Sequence, residues 1–221
     1  MKVSGYGLAL PAAMLVLACS VNAAAVDQRS RHHPAPSLGG KVGYCTDCHG
    51  ASGQGYRGYY PIPRIGGQTS EYLENQLRAF VERSRGQSMP VRLSKVHALS
   101  PAMRASLAGH FSDLEPKPFT RAPRGPRNLV AVGQKIYEQG VPEANVPACA
   151  VCHGPEAAGA GPNPRLAGQL YPYTVRVLRN WTRERGLHAS AQGTAGVMAP
   201  IAQSMSKDQI AAVAAYLSYL K

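Results

Sequence analysis

The sequence is short of carboxylates: Asp and Glu together number 12 against 24 Lys and Arg, for a formal net charge of +12. Those few acids are scattered, with no motif that pairs two of them for general acid–base work, and no nucleophile motif or glycine-rich phosphate loop is present. The usual side chains of hydrolytic and nucleotide-dependent catalysis are therefore missing. After the N-terminal segment no stretch of about 18 apolar residues occurs, so a helix spanning a bilayer is not expected. Nor do basic residues interleave with aromatics in a run that would track a phosphate backbone. The excess positive charge thus points away from nucleic acid and towards an acidic protein partner.

The first residues carry Lys2, an apolar run from Gly7 to Ala18, and small residues at Ala23 and Ala25, the pattern of a secretory signal over residues 1–25. An exported, soluble chain is expected, still strongly basic once Lys2 is removed. "VLACS", residues 16–20, competes as a lipoprotein cleavage box that would leave Cys19 acylated and the chain anchored at its N-terminus. Without that lipid, membrane association would come only through partners.

Cysteine is scarce but its placement is informative. Of five, one is Cys19; the others form "CTDCH" (Cys45, Cys48, His49) and "CAVCH" (Cys149, Cys152, His153). This is the spelling of c-type haem attachment. Two thiols one helical turn apart can add to the two vinyl groups of one porphyrin, and the adjacent imidazole then reaches the iron from the same face. A zinc ribbon would bring its two pairs within roughly 20 residues of each other, far closer than these. A thioredoxin-like pair needs a βαβ pattern, which is not seen, and structural disulfides leave the two histidines unexplained. Two covalent haems c are the expectation.

More than the cysteine pairs recurs. "PRIGGQ" (63–68) answers "PRLAGQ" (164–169), Tyr72 and Phe80 answer Tyr173 and Trp181, and "LSPAMRASLAGHFS" from Leu99 answers "MSKDQIAAVAAYLS" from Met205. The chain reads as two copies of one haem-binding unit, 26–114 and 128–221, joined by a Pro/Arg-rich extended linker at 115–127. Each copy reads mostly helical. Leu73, Leu77, Phe80 and Val81 recur at helical spacing after Glu71; Ser100 and Pro101 start a helix with Met103, Leu107 and Phe111 on one stripe; Ser206 and Gln209 form a capping box before Ile210, Val213, Ala214 and Leu217. A helix over "VAVGQKIYEQG" is expected before the second haem, with Gly133 letting the terminal helix cross closely and Tyr137 packing beside it. The glycine-rich "SLGGKVGY" leaves little room for its equivalent in the first copy.

With these motifs in place, the chain resembles a di-haem class I cytochrome c of the cytochrome c4 family. The likeness is densest in "GQKIYEQGVPEANVPACAVCHG" and "GPNPRLAGQLYPY" and extends over both copies. The resemblance implies an all-α fold of two tandem class I cytochrome c domains, each wrapped around one covalently bound haem c, located in the periplasm. It also implies that the protein is an electron carrier and not an enzyme, passing single electrons from a quinol-oxidising cytochrome bc-type complex to a terminal oxidase. A di-haem peroxidase, or a fixed electron-transfer subunit of a larger dehydrogenase or oxidase, is the alternative. A thiosulfate dehydrogenase with a cysteine iron ligand is disfavoured, because no cysteine remains free after haem attachment.

His49 and His153 each supply one axial ligand, and a methionine thioether opposite would favour ferrous iron. In the second copy Met198, in a loop before the cap Ser206, matches the family's methionine position, and Met205 is its rival. In the first copy Met89 is expected, held in an extended segment by Pro90, with Met103 and His97 as rivals. By resemblance, the carbonyls of Pro63 and Pro164 hold the second ring nitrogen of each histidine, Ile65 and Leu166 lie against the porphyrins, and Arg64 and Arg165 either pair with haem propionates or stay solvated.

Overall fold

Ser37 accepts a hydrogen bond from the backbone N–H of Gly40 and so starts the first helix, α1 (Leu38–His49). The structure is a computed structural model that describes residues 1–2, 37–56, 60–85, 96, 98–115, 124–185 and 195–221. The described residues from Ser37 onward belong to one compact unit. The signal segment with Cys19, most of the linker, Met89 with Pro90, and His97 lie outside the described residues.

Helix α1 corrects one expectation, since the glycine-rich stretch before the first haem motif is itself helical and runs without a break into Cys45, Cys48 and His49. Glycine costs a helix about 1 kcal/mol at each interior position. The cap at Ser37 and the packing of Val42 and Cys45 on the first core offset that cost. In the second copy the equivalent path is divided: α4 (Val130–Gln139) stops at Gly140, and a loop precedes the short α5 (Ala150–His153).

In the first lobe α2 (Ser70–Val81), capped by Thr69, packs on α3 (Pro101–Ser112), capped by Ser100. Leu73, Leu99, Leu107, Ala108 and Phe111 form the core between them. In the second lobe α6 (Tyr171–Arg179), α7 (Trp181–Arg185) and α8 (Ala195–Ser204) lead to α9 (Lys207–Tyr219), which lies across α4. A Cβ on Gly133 would overlap the Ala212 carbonyl, so glycine is what permits this crossing. Tyr137, with no exposed surface, packs its ring 5.5 Å from that of Tyr216. The capping box of Ser206 and Gln209 closes both reciprocal bonds at the start of α9.

Among the described residues only isolated β-bridges interrupt the helices, such as Tyr56 with Ile62 and Ala160 with Asn163. The end of the linker is tied down. Gly125 donates to Ser218 Oγ at 3.0 Å, Tyr219 donates to the Gly125 carbonyl at 3.0 Å, and the guanidinium groups of Arg124 and Arg127 lie over the Tyr219 ring.

Candidate functional site

Each CxxCH motif ends a helix, and each is followed by a glycine with positive φ: Gly50 after His49 and Gly154 after His153. The chain then folds back over its own histidine in the same way in both lobes. Gly55 donates to the His49 carbonyl at 2.7 Å and Gly159 to the His153 carbonyl at 2.9 Å. A side chain at Gly55 would run into the backbone of Ile62 to Arg64, and one at Gly159 into Asn163 to Arg165. Those two glycines let the returning segment come close enough to touch the imidazole.

The contact made is specific. Nδ1 of His49 lies 2.8 Å from the Pro63 carbonyl oxygen, and Nδ1 of His153 lies 2.9 Å from that of Pro164. A carbonyl can only accept, so Nδ1 carries the proton and Nε2 is left with its lone pair free for a metal. Burial lowers both imidazole pKa values from their ordinary range, which keeps the rings neutral and ligand-competent. The thiols of Cys45 and Cys149 are pushed up to about 11, chiefly by burial, while Cys48 and Cys152 are exposed. None of the four forms a disulfide.

Ile65 packs on the first core and Leu166 on the second, each two residues beyond its proline. Met198 lies within α8 and not in a loop, which corrects the local expectation: "GVMAPIAQS" is apolar and alanine-rich, and the helix runs through Pro200. Met198 remains partly accessible. Its rival Met205 is 8% exposed and belongs to the core of the second lobe, and Met103 packs on that of the first. Met89 and His97 lie outside the described residues, so the first lobe's opposite ligand remains a sequence expectation.

Sequence reasoning missed the glutamines that end the two repeated blocks. Gln68 Nε2 donates to the Arg165 carbonyl at 3.0 Å while its Oε1 accepts from the Arg165 N–H at 2.6 Å. Gln169 treats Arg64 in the same way, at 3.0 Å for each bond. Each carboxamide therefore grips the backbone of the other lobe one residue after the proline that orients its histidine. The signal was present in the sequence, since both blocks end in Gln, but only the fold shows that the repeats pair with each other. Further bonds along this join run from Thr69 Oγ1 to the Gly161 carbonyl and from Arg176 to the Pro61 carbonyl. The Arg64 side chain reaches the backbone of Gly168 in the other lobe, where a Cβ would lie 2.8 Å from Nη1. Burial and the Arg165 charge lower the Arg64 pKa.

The donor set fits a c-type haem in each lobe. Beside each pair of free thiols stands a buried or half-buried imidazole with Nε2 bare, and Arg165 has a buried Nε without a hydrogen-bond partner where an anionic group would satisfy it.

Comparison with known proteins agrees with this chemistry. The cytochrome c family model matches residues 130–221. The chain is 38% identical over 183 residues to cytochrome c-552 of Acidithiobacillus ferridurans, covering 80% of this chain and 73% of that one. It is 36% identical over 180 residues to the thiosulfate dehydrogenase electron acceptor of Thiomonas intermedia, covering 79% and 77%. A solved cytochrome c4 structure from Acidithiobacillus ferrooxidans superposes with a TM-score of 0.65 at 34% identity, covering 80% of this chain and 98% of that one.

Proposed function

The chain belongs to the cytochrome c4 family of di-haem cytochromes c, and from that premise we propose that it is a periplasmic shuttle taking single electrons from a quinol-oxidising cytochrome complex to a terminal oxidase. Its cofactors are two covalent haems c, one for each lobe. Bound haem supplies a one-electron iron couple. The protein's own part is to hold that couple in place: Cys45 and Cys48, and Cys149 and Cys152, would tether it, and His49 and His153, with Nδ1 held by the carbonyls of Pro63 and Pro164, would ligate the iron.

The observation that carries this reading is the join between the lobes. The backbone that orients each imidazole is hydrogen-bonded to the opposite lobe through Gln68 and Gln169, so both metal-ligating segments meet at one seam. Such an arrangement suits passage of an electron from one site to the other. Met198 in the second lobe and Met89 in the first would each supply a further iron ligand, and a haem so held would offer no position to a substrate. Arg64 and Arg165 act near the propionates.

The test is ligand binding and turnover on the purified holoprotein. A carrier leaves carbon monoxide and cyanide unbound on mixing, and oxidises neither thiosulfate nor a peroxidase donor by itself. Rapid cyanide binding at one haem, with peroxide turnover, would instead identify a peroxidase.

A second reading is favoured by the relative named as an electron acceptor of thiosulfate dehydrogenase. Here the donor is a sulfur-oxidising enzyme and the chain is its acceptor. Stopped-flow reduction by such an enzyme with thiosulfate, set beside reduction by a quinol-oxidising complex, separates the two donors by rate.

A further inference from the structure

The hydroxyl of Tyr137 ends deep inside the second lobe, on one particular atom. Its ring packs beside Tyr216 with no exposed surface, and the phenol oxygen lies 2.5 Å from the carbonyl oxygen of Gly154, the residue that follows His153. A carbonyl can only accept, so the phenol donates. Burial, with Cys149 close by, holds the phenol pKa above its ordinary value, so the donated proton stays on the oxygen.

From Gly154 the hydrogen bonds continue to the imidazole. The Gly154 carbonyl also accepts from the Ala157 N–H at 3.1 Å, and the Ala157 carbonyl accepts from the N–H groups of Leu166 at 2.8 Å and Ala167 at 3.0 Å. Leu166 lies two residues beyond Pro164, whose carbonyl holds Nδ1 of His153 at 2.9 Å. The turn in the middle of this path is strained. Ala157 is buried at a φ of 56°, a left-handed conformation that costs a residue with a Cβ about 1–2 kcal/mol.

The first lobe builds the same turn without that strain. Gly53 donates to the Gly50 carbonyl at 2.8 Å and accepts from the Ile65 N–H at 2.8 Å, the counterparts of the bonds around Ala157. At a φ of 65° Gly53 carries no Cβ penalty. The second turn has an alanine where the first has a glycine, and it is the second turn that the buried phenol grips.

We propose that Tyr137 is a positioning residue for the second haem: its hydroxyl clamps the strained Gly154–Ala157 turn and through it keeps the Pro164 carbonyl on Nδ1 of His153. The inference rests on the two-haem reading. A firm bond from Nδ1 gives the imidazole anionic character and makes it a stronger donor to ferric iron, so slackening the turn favours ferrous iron and raises the potential of the second haem alone.

Proton magnetic resonance of the ferric holoprotein and spectroelectrochemical titration test this together, with mass spectrometry of the same samples to count haems. In Tyr137→Phe, which keeps the ring against Tyr216, the Nδ1 proton of His153 should exchange with solvent about tenfold faster, and the second one-electron wave should rise by about threefold in the reduction equilibrium constant, ~28 mV. His49 and the first wave should not move. Ile136→Val separates positioning from packing, because Ile136 shares the helix and the core of Tyr137 but bears no hydroxyl; it should lower the unfolding midpoint and leave both His153 readouts at their wild-type values. Ala157→Gly added to Tyr137→Phe relieves the strain that the phenol offsets, and should restore most of the lost protection. Unchanged exchange and an unmoved second wave in Tyr137→Phe, or equal changes in Ile136→Val, overturn the proposal while leaving the two-haem reading intact; a wild-type chain matured without two haems overturns that reading instead. Should Tyr137→Phe lose its second haem, recovery of haem content on adding Ala157→Gly supports the clamp, and no recovery refutes it.

Discussion

Gln68 and Arg165 lie 97 residues apart in sequence, yet the glutamine carboxamide satisfies both the N–H and the C=O of the arginine backbone. Gln169 and Arg64 repeat the arrangement in the opposite sense across 105 residues. Gln68 is 6% exposed and Gln169 8%, so removing either carboxamide leaves backbone groups short of partners in a place water barely reaches.

Gln68→Ala or Gln169→Ala should therefore each destabilise the holoprotein by about 1–3 kcal/mol. Denaturant unfolding followed by circular dichroism measures it. A midpoint unchanged within error in both variants would mean that the exchange contributes nothing to holding the lobes together.

Gly133→Ala sets two effects against each other. Alanine improves helix propensity by about 1 kcal/mol, but its methyl group meets the Ala212 carbonyl where α4 and α9 cross. Overpacking of about 1–3 kcal/mol should win, because the obstacle is backbone and cannot rotate away. A thermal melt at or above that of the wild type would show the crossing to be looser than the structure has it.

Met198→Ala should abolish the optical signature of methionine ligation at one haem and lower that haem's potential. Met205→Ala should leave the spectrum intact and cost about 2–5 kcal/mol in stability, since its side chain belongs to the second core. The reverse pattern, with spectral loss in Met205→Ala only, would exchange the two roles.

The formal charge of +12 should guide an acidic redox partner, with bimolecular transfer rates falling as salt is added. Stopped-flow rates flat from about 10 mM to 500 mM salt, a range over which the Debye length falls from about 30 Å to only a few ångströms, would rule out electrostatic docking.

A chain with all four attachment cysteines replaced by alanine should lose most of its helicity. Lobes of this size bury little apolar surface unaided, and the imidazoles of His49 and His153 would face empty pockets. Native-like far-ultraviolet circular dichroism from that variant would show that the helices pack without haem.

Local chemistry was written in the sequence. Two thiols and an imidazole at fixed spacing define a haem anchor whatever the fold. Caps at Ser100 and Ser206, and apolar stripes such as Ile210, Val213 and Leu217, mark helices because these signals act within a turn or two of chain. The duplication was equally visible, down to the shared final glutamine of "PRIGGQ" and "PRLAGQ". Where sequence reading went astray, neighbours had decided the outcome. Three glycines discouraged a helix at 38–49 until its contacts with the first core offset their cost, and Met198 sat in an expected loop that the structure makes helical. What one copy does to the other belongs to the tertiary structure alone. The grip of Gln68 on Arg165 and of Gln169 on Arg64 depends on bringing together residues about 100 positions apart, and hydrogen bonds act over a few ångströms in space, a distance that no periodicity or motif encodes.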